Sequence, residues 1–525
     1  MDVDIFLLIF VIAIIAGSVY ANVRLLWYFQ APEDKGLAQS VICKAIVVIS
    51  LTLCWMVTLL LPVDVRNSRP VPGIVDMRLI WSIAFICIAC FLVIVVPATM
   101  FYYEVEDDVA ISKKRRHVLC NLFFMLLFVA CAVGISYAFL AEAAIPVQEY
   151  SCPADKWLDA SEAVSPLLLS ESVCASAKQA HLHFKVGFQI YMIAAMCFIG
   201  WFFFVTFGGI GLSALPIDLI LAWVDRPKPI DQMTFEQEKR ECGHESRELL
   251  QRAEALTAED TSLSAEKGWR ASRKKRKLQV KYNKFKRDVF ELEEKWERVQ
   301  LSKFQQGESL AVSIVKLVLG ILFAIMSILW ILHVILAVLI REHMPDKPIQ
   351  FLNAIFEAFE SPGLYPVGVA LFASFNLYLL LCVVKGCLKF GMRIFLCFSI
   401  HPMRYQATPL NSILFNVLLV LLSSATVVQF SQQAFSDYAR LTDADVIFSA
   451  QIKYLAFYRV FFENNVFIYT LLGWFLLTLI FLLVRGPRDG KRGKKKKSKS
   501  KSKEPKSSKS EKAEKKKPQK PANSA

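Results

Sequence analysis

Enzyme signatures are missing from this sequence wherever they can be tested. The segment HESRE at 244–248 lacks the second histidine that a zinc-protease helix requires. The glycines of GGIG at 208–211 have neither dinucleotide-fold nor P-loop spacing, and they follow an apolar stretch rather than a strand. His181 and His183 stand without the carboxylate or cysteine pattern of a metal site, so ordinary histidines are the simpler interpretation. We therefore expect a protein that is not an enzyme, with no cofactor and no bound metal.

Charge is also scarce, and it is unevenly placed. Only 20% of the residues are charged, whereas 55% are hydrophobic. The formal net charge of +15 comes almost entirely from the end of the chain, because the residues from Arg485 onward include 18 basic and four acidic side chains. The remainder is close to neutral and gives no support for a nucleic-acid-binding surface.

Long apolar runs fill most of the rest. Nine of them are about 20 residues long, enough to cross a hydrocarbon core of about 30 Å. They predict an all-α polytopic membrane protein. The predicted spans are 5–27, 39–61, 79–101, 118–140, 187–207, 317–340, 366–384, 410–430 and 466–484. Asp2 and Asp4 precede the first run, which favours a retained helix over a cleaved signal peptide.

The basic residues of short loops predict the orientation, because lysine and arginine near span ends remain on the cytosolic side. An N-out, C-in arrangement places the KKRR cluster at 113–116, Lys385 and Lys389 in the cytosol, together with the polar stretch 232–308 and the tail. The reverse arrangement would require the KKRR cluster and the tail to be translocated together.

These patterns divide the chain into consecutive segments. We predict an N-terminal membrane bundle 1–207 with a luminal loop 142–186, a Gly/Pro hinge 208–231, a cytosolic arm 232–308, a C-terminal membrane bundle 309–484 and a disordered Lys-rich tail 485–525.

The luminal loop contains Cys152 and Cys174. Most of the other cysteines lie in spans or predicted cytosolic segments, where thiols stay reduced. A disulfide between these two would restrict the unfolded chain by about 3 kcal/mol in the chain-entropy model. Two free luminal thiols are the alternative.

The predicted hinge contains Gly208, Gly209, Gly211 and Pro216. Glycines allow neighbouring helices to approach closely, and proline removes a backbone donor and bends the chain. We expect the fifth span to break at Pro216 and to resume as a short apolar helix. Such a segment is either an elbow into the cytosolic arm or, as in transporters, part of a cavity lining.

The arm begins with a capping box formed by Thr234 and Gln237. Apolar residues later recur at the 4-3 spacing of a coiled coil, which predicts an antiparallel helical hairpin that binds cytosolic protein partners. The predicted core residues are Leu278, Tyr282, Phe285, Val289, Leu292, Trp296 and Val299. The basic stretch at 270–277 supports an alternative, in which the arm lies on lipid headgroups.

The tail is a low-complexity sequence of lysine and serine, so we expect it to be disordered. Next to the last span it would be attracted to anionic lipid headgroups by about 1 kcal/mol per nearby lysine. A plain topology and solubility tail is the alternative.

Four polar residues interrupt the apolar spans or the hinge helix: Asp218, His333, Asn376 and Asn416. Polar groups inside a membrane are costly, so they mark either a solute or proton pathway or hydrogen bonds between helices. The second interpretation is favoured, and Asp218 also fits a position at the cytosolic boundary.

Several motifs resemble one membrane protein family. They are LLLPVDV at 59–65, VVPATMFYYEVED at 95–107, GGIGLSALPIDLI at 208–220, RPKPI at 226–230 and IHPMRYQATPLNSILFN at 400–416. Together with the nine-span layout over residues 1–484, they make the chain similar to the LMBR-type (limb-region) family, which includes the lipocalin-interacting membrane receptors and the LMBD-type lysosomal cobalamin-export proteins. The Lys-rich tail departs from that pattern.

The resemblance implies a receptor or scaffold that binds an extracellular or luminal ligand, couples to cytosolic partners and takes part in endocytosis or trafficking. It also implies an alternative, a transporter or a transporter-associated subunit for a small molecule. The location would be the plasma membrane or an endosomal or lysosomal membrane. No binding motif of the family can be carried over to particular residues.

Overall fold

The computed structural model describes residues 5–31, 38–68, 76–105, 111–151, 175–224, 226, 230–264, 269–304, 310–341, 349–360, 365–389, 393–394, 398–399, 403, 406 and 408–485. Cys152, Cys174 and the tail beyond residue 485 lie outside these ranges. The disulfide and the disordered tail therefore stay predictions.

Long helices form the first half of the chain. They are α1 (Ile5–Phe29), α2 (Ala38–Asn67), α3 (Met77–Cys90), α4 (Val96–Glu104), α5 (Ile111–Leu140) and α6 (Phe188–Val224). The π-helix π1 (Phe91–Val95) joins α3 to α4, so that these three elements make one span.

Between α5 and α6, strands β1 (Glu142–Ser151) and β2 (Ala175–Lys185) pair antiparallel, with Glu142 opposite Lys185. The sequence predicts only a loop over 142–186, so this pairing is a correction. Neither strand contains the run of alternating β-branched and aromatic residues that identifies a strand in sequence.

The second half is also mostly helical. Its elements are α7 (Gln232–Ser264), α8 (Trp269–Phe304), α9 (Leu310–His333), π2 (Val334–Ile340), α10 (Leu352–Ala358), α11 (Tyr365–Lys389), β3 (Arg393–Ile394), β4 (Phe398–Ser399), α12 (Leu410–Ala434), α13 (Asp443–Asp445), π3 (Val446–Ile452), α14 (Arg459–Glu463) and α15 (Val466–Arg485). Within the described ranges, nine helical stretches are long and apolar enough to cross a membrane. The predicted all-α polytopic fold is confirmed.

The chain divides into two compact units, and the larger is drawn from Met1–Pro216 and Leu322–Leu482. Its most buried span is α12, where 89% of the residues in the most apolar 18-residue stretch are buried. In the corresponding stretch of α5 no residue is buried. A helix that is buried on all sides needs small and polar residues that pack or bond to its neighbours, and α12 contains Ser423, Ser424 and Thr426 in its centre.

The smaller unit is drawn from Ile217–Ile321 and Leu483–Ala525. Within it, α7 and α8 pair antiparallel through ion pairs between their side chains. Lys281 contacts Glu259 at 2.8 Å, and Lys295 contacts Glu245 at 3.1 Å. The partner on α7 moves towards its N-terminus as the residue on α8 moves towards its C-terminus, so the two helices run in opposite directions.

The predicted core positions of α8 are covered to different degrees. Leu278 and Val299 are buried, whereas Tyr282 is 42% exposed. The four positions between them that complete the predicted core are half-buried: Phe285, Val289, Leu292 and Trp296. One partner helix covers such positions from one side only. The coiled-coil geometry and the cytosolic location of the arm stay predictions.

The break predicted at Pro216 does not occur, because α6 continues through this residue to Val224. Proline lacks the N–H group that would bond to the carbonyl oxygen of Leu212, four residues earlier. The hydroxyl of Ser327 donates a hydrogen bond of 2.6 Å to that oxygen instead. The lost donor is replaced from α9, so the helix satisfies the carbonyl without breaking.

Candidate functional site

A cavity of about 520 Å³ lies in the larger unit, beside the C-terminal ends of α12 and π2. Three glutamines of α12 form one wall: Gln429, Gln432 and Gln433. Their spacing places them on one face of the helix. The remaining lining residues are Ala337, Val338, Arg341, Ser436, Phe448, Ser449, Lys453, Phe462, Glu463 and Asn465. Small-molecule sites in proteins occupy about 300–1,000 Å³, so this cavity has the size of a ligand site.

Hydrogen bonds fix the amide groups of this wall. The Gln432 side chain donates to Asp445 Oδ1 at 2.7 Å and accepts from Ser449 Oγ at 3.0 Å. The Gln433 amide donates to Asn465 Oδ1 at 3.4 Å. Because these groups are held by other elements, a ligand would meet donors and acceptors that are already oriented.

Charged side chains stand at the edge of the cavity. Arg341 donates to Asp437 Oδ2 at 2.7 Å, and Glu463 pairs with Arg459 at 3.3 Å. Each of these pairs is neutral overall. Burial, and then the charge of Glu463, raises the pKa of Tyr454, so that this phenol stays neutral.

Two π-helices contribute to the lining. Ala337 and Val338 come from π2, and Phe448 and Ser449 come from π3. π-Helices are rare in proteins as a whole, but those that occur are often found at functional sites. Sequence reasoning missed the cavity, although a signal was available: three glutamines within five residues are unusual at the end of an apolar span. The π-helices themselves had no sequence signal.

Aromatic rings pack behind the glutamine wall in the larger unit. The indole of Trp201 donates to Gln429 Oε1 at 2.9 Å, which ties the ring to the cavity wall. Phe430 contacts Trp201 at 5.7 Å and Trp330 at 5.5 Å between ring centroids. All three rings are at most 1% exposed. The bundle is therefore packed with aromatic side chains directly behind the polar wall.

His333 lies near the cavity but does not line it. Its ring is fully buried, stacks on Phe435 at 4.4 Å between centroids and faces Phe351 at 6.2 Å. Its Nε2 is 2.9 Å from the carbonyl oxygen of Ala434, and Nδ1 has no hydrogen-bond partner among the described residues. Phe351 has φ = 39°, which is uncommon for a bulky side chain.

The other intramembrane polar residues are also separate from the cavity. Asn376 in α11 and Asn416 in α12 are buried, and within the described ranges both side-chain atoms of each lack a hydrogen-bond partner. Asp218 lies half-buried in α6. None of these three residues belongs to the lining of the cavity.

The glycines predicted as a hinge are buried where α6 meets its neighbours. A Cβ atom at Gly211 would collide with the carbonyl group of Cys382 in α11. A Cβ at Gly209 would lie 2.8 Å from Cβ of Trp474 in α15, and one at Gly208 would lie 3.2 Å from the Phe204 ring. Close packing between helices therefore explains why positions 209 and 211 are glycine, which has no side chain.

The comparisons with known proteins agree over most of the chain. The profile described as LMBR1-like membrane protein matches residues 3–305 and 230–480. A LIMR family protein of Dictyostelium discoideum is 31% identical over 518 residues, covering 93% of this chain and 98% of that protein. A LIMR family protein of Oryza sativa subsp. japonica is 30% identical, with 92% of this chain and 97% of that protein covered. A LIMR family protein of Arabidopsis thaliana is 30% identical, with 89% of this chain and 93% of that protein covered. No solved structure matches.

Proposed function

The chain belongs to the LMBR1-like membrane protein family, as a multi-pass integral membrane protein, and from this premise we propose that it acts as a membrane receptor or scaffold. A ligand from the extracellular or luminal side binds in the polar cavity. The arm of α7 and α8 recruits cytosolic protein partners, and the Lys-rich tail contacts anionic lipid headgroups. This coupling serves endocytosis or trafficking at the plasma membrane or an endosomal or lysosomal membrane. No catalytic step is part of the proposal.

One observation carries the proposal: the cavity has a polar wall whose side chains are held by hydrogen bonds, with aromatic rings packed behind it. Gln433 offers a polar group that a hydrogen bond holds in place, as a binding site requires, and the buried Gln432 is held behind it. Trp201, Trp330 and Phe430 fill the space behind them. A ligand bound there would be held at one end of the bundle. This position suits a receptor that recognises a ligand better than a transporter that moves a solute across the membrane.

The order of the elements supports the coupling. The arm precedes α9 in the chain, and the continuation of α9 as π2 supplies Ala337 and Val338 to the cavity. A change in the cavity would thus act on the helix that follows the arm in the chain. The predicted N-out, C-in orientation assigns the two ends of this helix to opposite sides of the membrane.

Proximity labelling with and without the arm tests this proposal. The full chain and a chain without residues 232–308 carry the same labelling enzyme at the C-terminus. Loss of a defined set of cytosolic proteins on deletion would support the scaffold role, whereas an unchanged set would count against it. Gln433→Leu should alter the same set by removing a polar group from the cavity, and Arg440→Gln, an exposed residue outside the lining, is the matched control.

A transporter, or a transporter-associated subunit of the cobalamin-export type, is the second candidate. The observation that favours it is the set of buried polar atoms without hydrogen-bond partners among the described residues, in His333, Asn376 and Asn416. Each such atom costs about 1–3 kcal/mol, so a solute or water pathway would explain its retention. Solute uptake by the reconstituted protein that is lost in His333→Ala would establish this candidate.

A further inference from the structure

We propose that the ligand of the polar cavity is a polar organic anion whose negative group pairs with Lys453. This inference rests on the proposed function, because it specifies the ligand of the same cavity. Lys453 directly follows π3, and its backbone N–H donates to the Phe448 carbonyl at 3.1 Å. The side chain therefore starts from a fixed point on the cavity wall.

The charge balance of the lining singles out Lys453. Arg341 is neutralised by Asp437, and Glu463 by Arg459. Across the described part of the chain, the ammonium of Lys453 has no carboxylate partner, and it lies 5.7 Å from the centroid of the Tyr454 ring. Among the described residues, Lys453 is therefore the cation of the lining that has no carboxylate partner; the nearby Asp445 carboxylate accepts a hydrogen bond from Gln432 instead. A half-buried ammonium favours an anion there, since charge-assisted hydrogen bonds are about twice as strong as neutral ones.

The rest of the lining suggests what the anion is attached to. A single inorganic ion would leave most of the 520 Å³ filled by water. The amides of Gln433 and Asn465 and the hydroxyl of Ser436 match hydroxyl or amide groups on a larger molecule. Phosphate esters of polyols combine both properties, and they occur as soluble metabolites and as phospholipid headgroups.

Binding can be measured by the thermal stability of the full chain in nanodiscs. In discs of neutral phosphatidylcholine, glycerol 3-phosphate and glucose 6-phosphate are the soluble anionic probes, and glycerol and glucose are their neutral controls. In a second arm, phosphatidylinositol replaces a tenth of the lipid and no soluble probe is added. Stabilisation in the first arm identifies a soluble ligand, and stabilisation in the second arm alone that is lost in Lys453→Gln identifies a lipid headgroup in the cavity.

Variants test the role of the charge. Lys453→Gln should weaken binding of the anionic probe about tenfold or more, while Lys453→Arg and the control Arg440→Gln keep it within about twofold. Equal stabilisation by glucose and glucose 6-phosphate, full binding by Lys453→Gln, or no stabilisation in either arm would overturn the inference. Binding of neutral glucose that is lost in Gln433→Leu would overturn the anion but leave the receptor proposal intact.

Discussion

The hydroxyl of Ser327 donates a hydrogen bond of 2.6 Å to the carbonyl oxygen of Leu212, the oxygen that Pro216 leaves without its helical donor. Ser327 also lies 2.5 Å from the Tyr378 hydroxyl, which donates to the Phe323 carbonyl at 2.9 Å. One buried polar cluster therefore connects α6, α9 and α11. This cluster allows a proline inside a span of 37 residues.

Ser327→Ala should lower the free energy of unfolding by about 1–3 kcal/mol, since it leaves the Leu212 carbonyl unsatisfied. In a Pro216→Ala background the restored N–H can bond to that carbonyl, so the same substitution should cost less. Thermal unfolding of the detergent-solubilised full chain measures both values. Ser374→Ala, which removes an exposed hydroxyl from α11, serves as the control. Equal costs in the two backgrounds would refute the coupling.

Gly211→Leu should prevent assembly of the bundle, because the new side chain would occupy the position of the Cys382 carbonyl group. Overpacking of this kind typically costs about 1–3 kcal/mol and costs more when it meets backbone. The yield of monodisperse protein in size-exclusion chromatography is the measurement. Gly473→Leu introduces the same side chain in α15, where nothing lies within 4 Å, and should leave the yield unchanged. Normal yield from both variants would contradict the close crossing.

Asp64→Ala should destabilise the larger unit by about 3 kcal/mol or more, because it leaves buried donors unsatisfied. The Asp64 carboxylate accepts from the Trp81 indole at 2.8 Å and from the backbone N–H of Ala444 at 2.9 Å. Asp76→Ala removes an exposed helix cap instead and should cost only about 1 kcal/mol. Chemical unfolding followed by tryptophan fluorescence compares the two, and similar losses would argue against the role of Asp64.

Cys242 in the arm should react slowly with maleimide at neutral pH. Burial raises the pKa of its thiol, and the neighbouring glutamates add to this effect, although the charge of Lys295 opposes them. A raised pKa leaves less thiolate at pH 7, so the rate should increase as the pH rises towards and above 9. A cysteine introduced at the exposed Met233 is the fast control. Lys295→Met should slow Cys242 further; an accelerated reaction would contradict the assignment.

The orientation has its own test. A protease added to sealed vesicles whose cytosolic face is outward should cleave both the arm and the tail, while the hairpin of β1 and β2 stays protected. Cleavage is followed by tags placed at the C-terminus and in the loop after β1. Protection of the C-terminal tag would reverse the N-out, C-in prediction.

The sequence by itself determined the number of spans and the fold class, because crossing a membrane requires only a local run of about 20 apolar residues. The family was visible in motifs such as GGIGLSALPIDLI for a similar reason, since each motif is a continuous stretch. The polar residues Gln429, Gln432 and Gln433 were also visible, but only as polar positions at the end of a span, with no indication of what they contact.

Only the tertiary structure decided how these residues are used. Lys453 and Asn465 join the glutamines in one cavity because the chain after α12 folds back on the bundle. Pro216 was expected to break its helix because local rules take no account of a distant donor such as Ser327, which lies 115 residues beyond the Leu212 carbonyl that it satisfies. Hydropathy and proline rules describe a segment and its solvent, whereas a cavity or a replaced hydrogen bond depends on which distant segments meet.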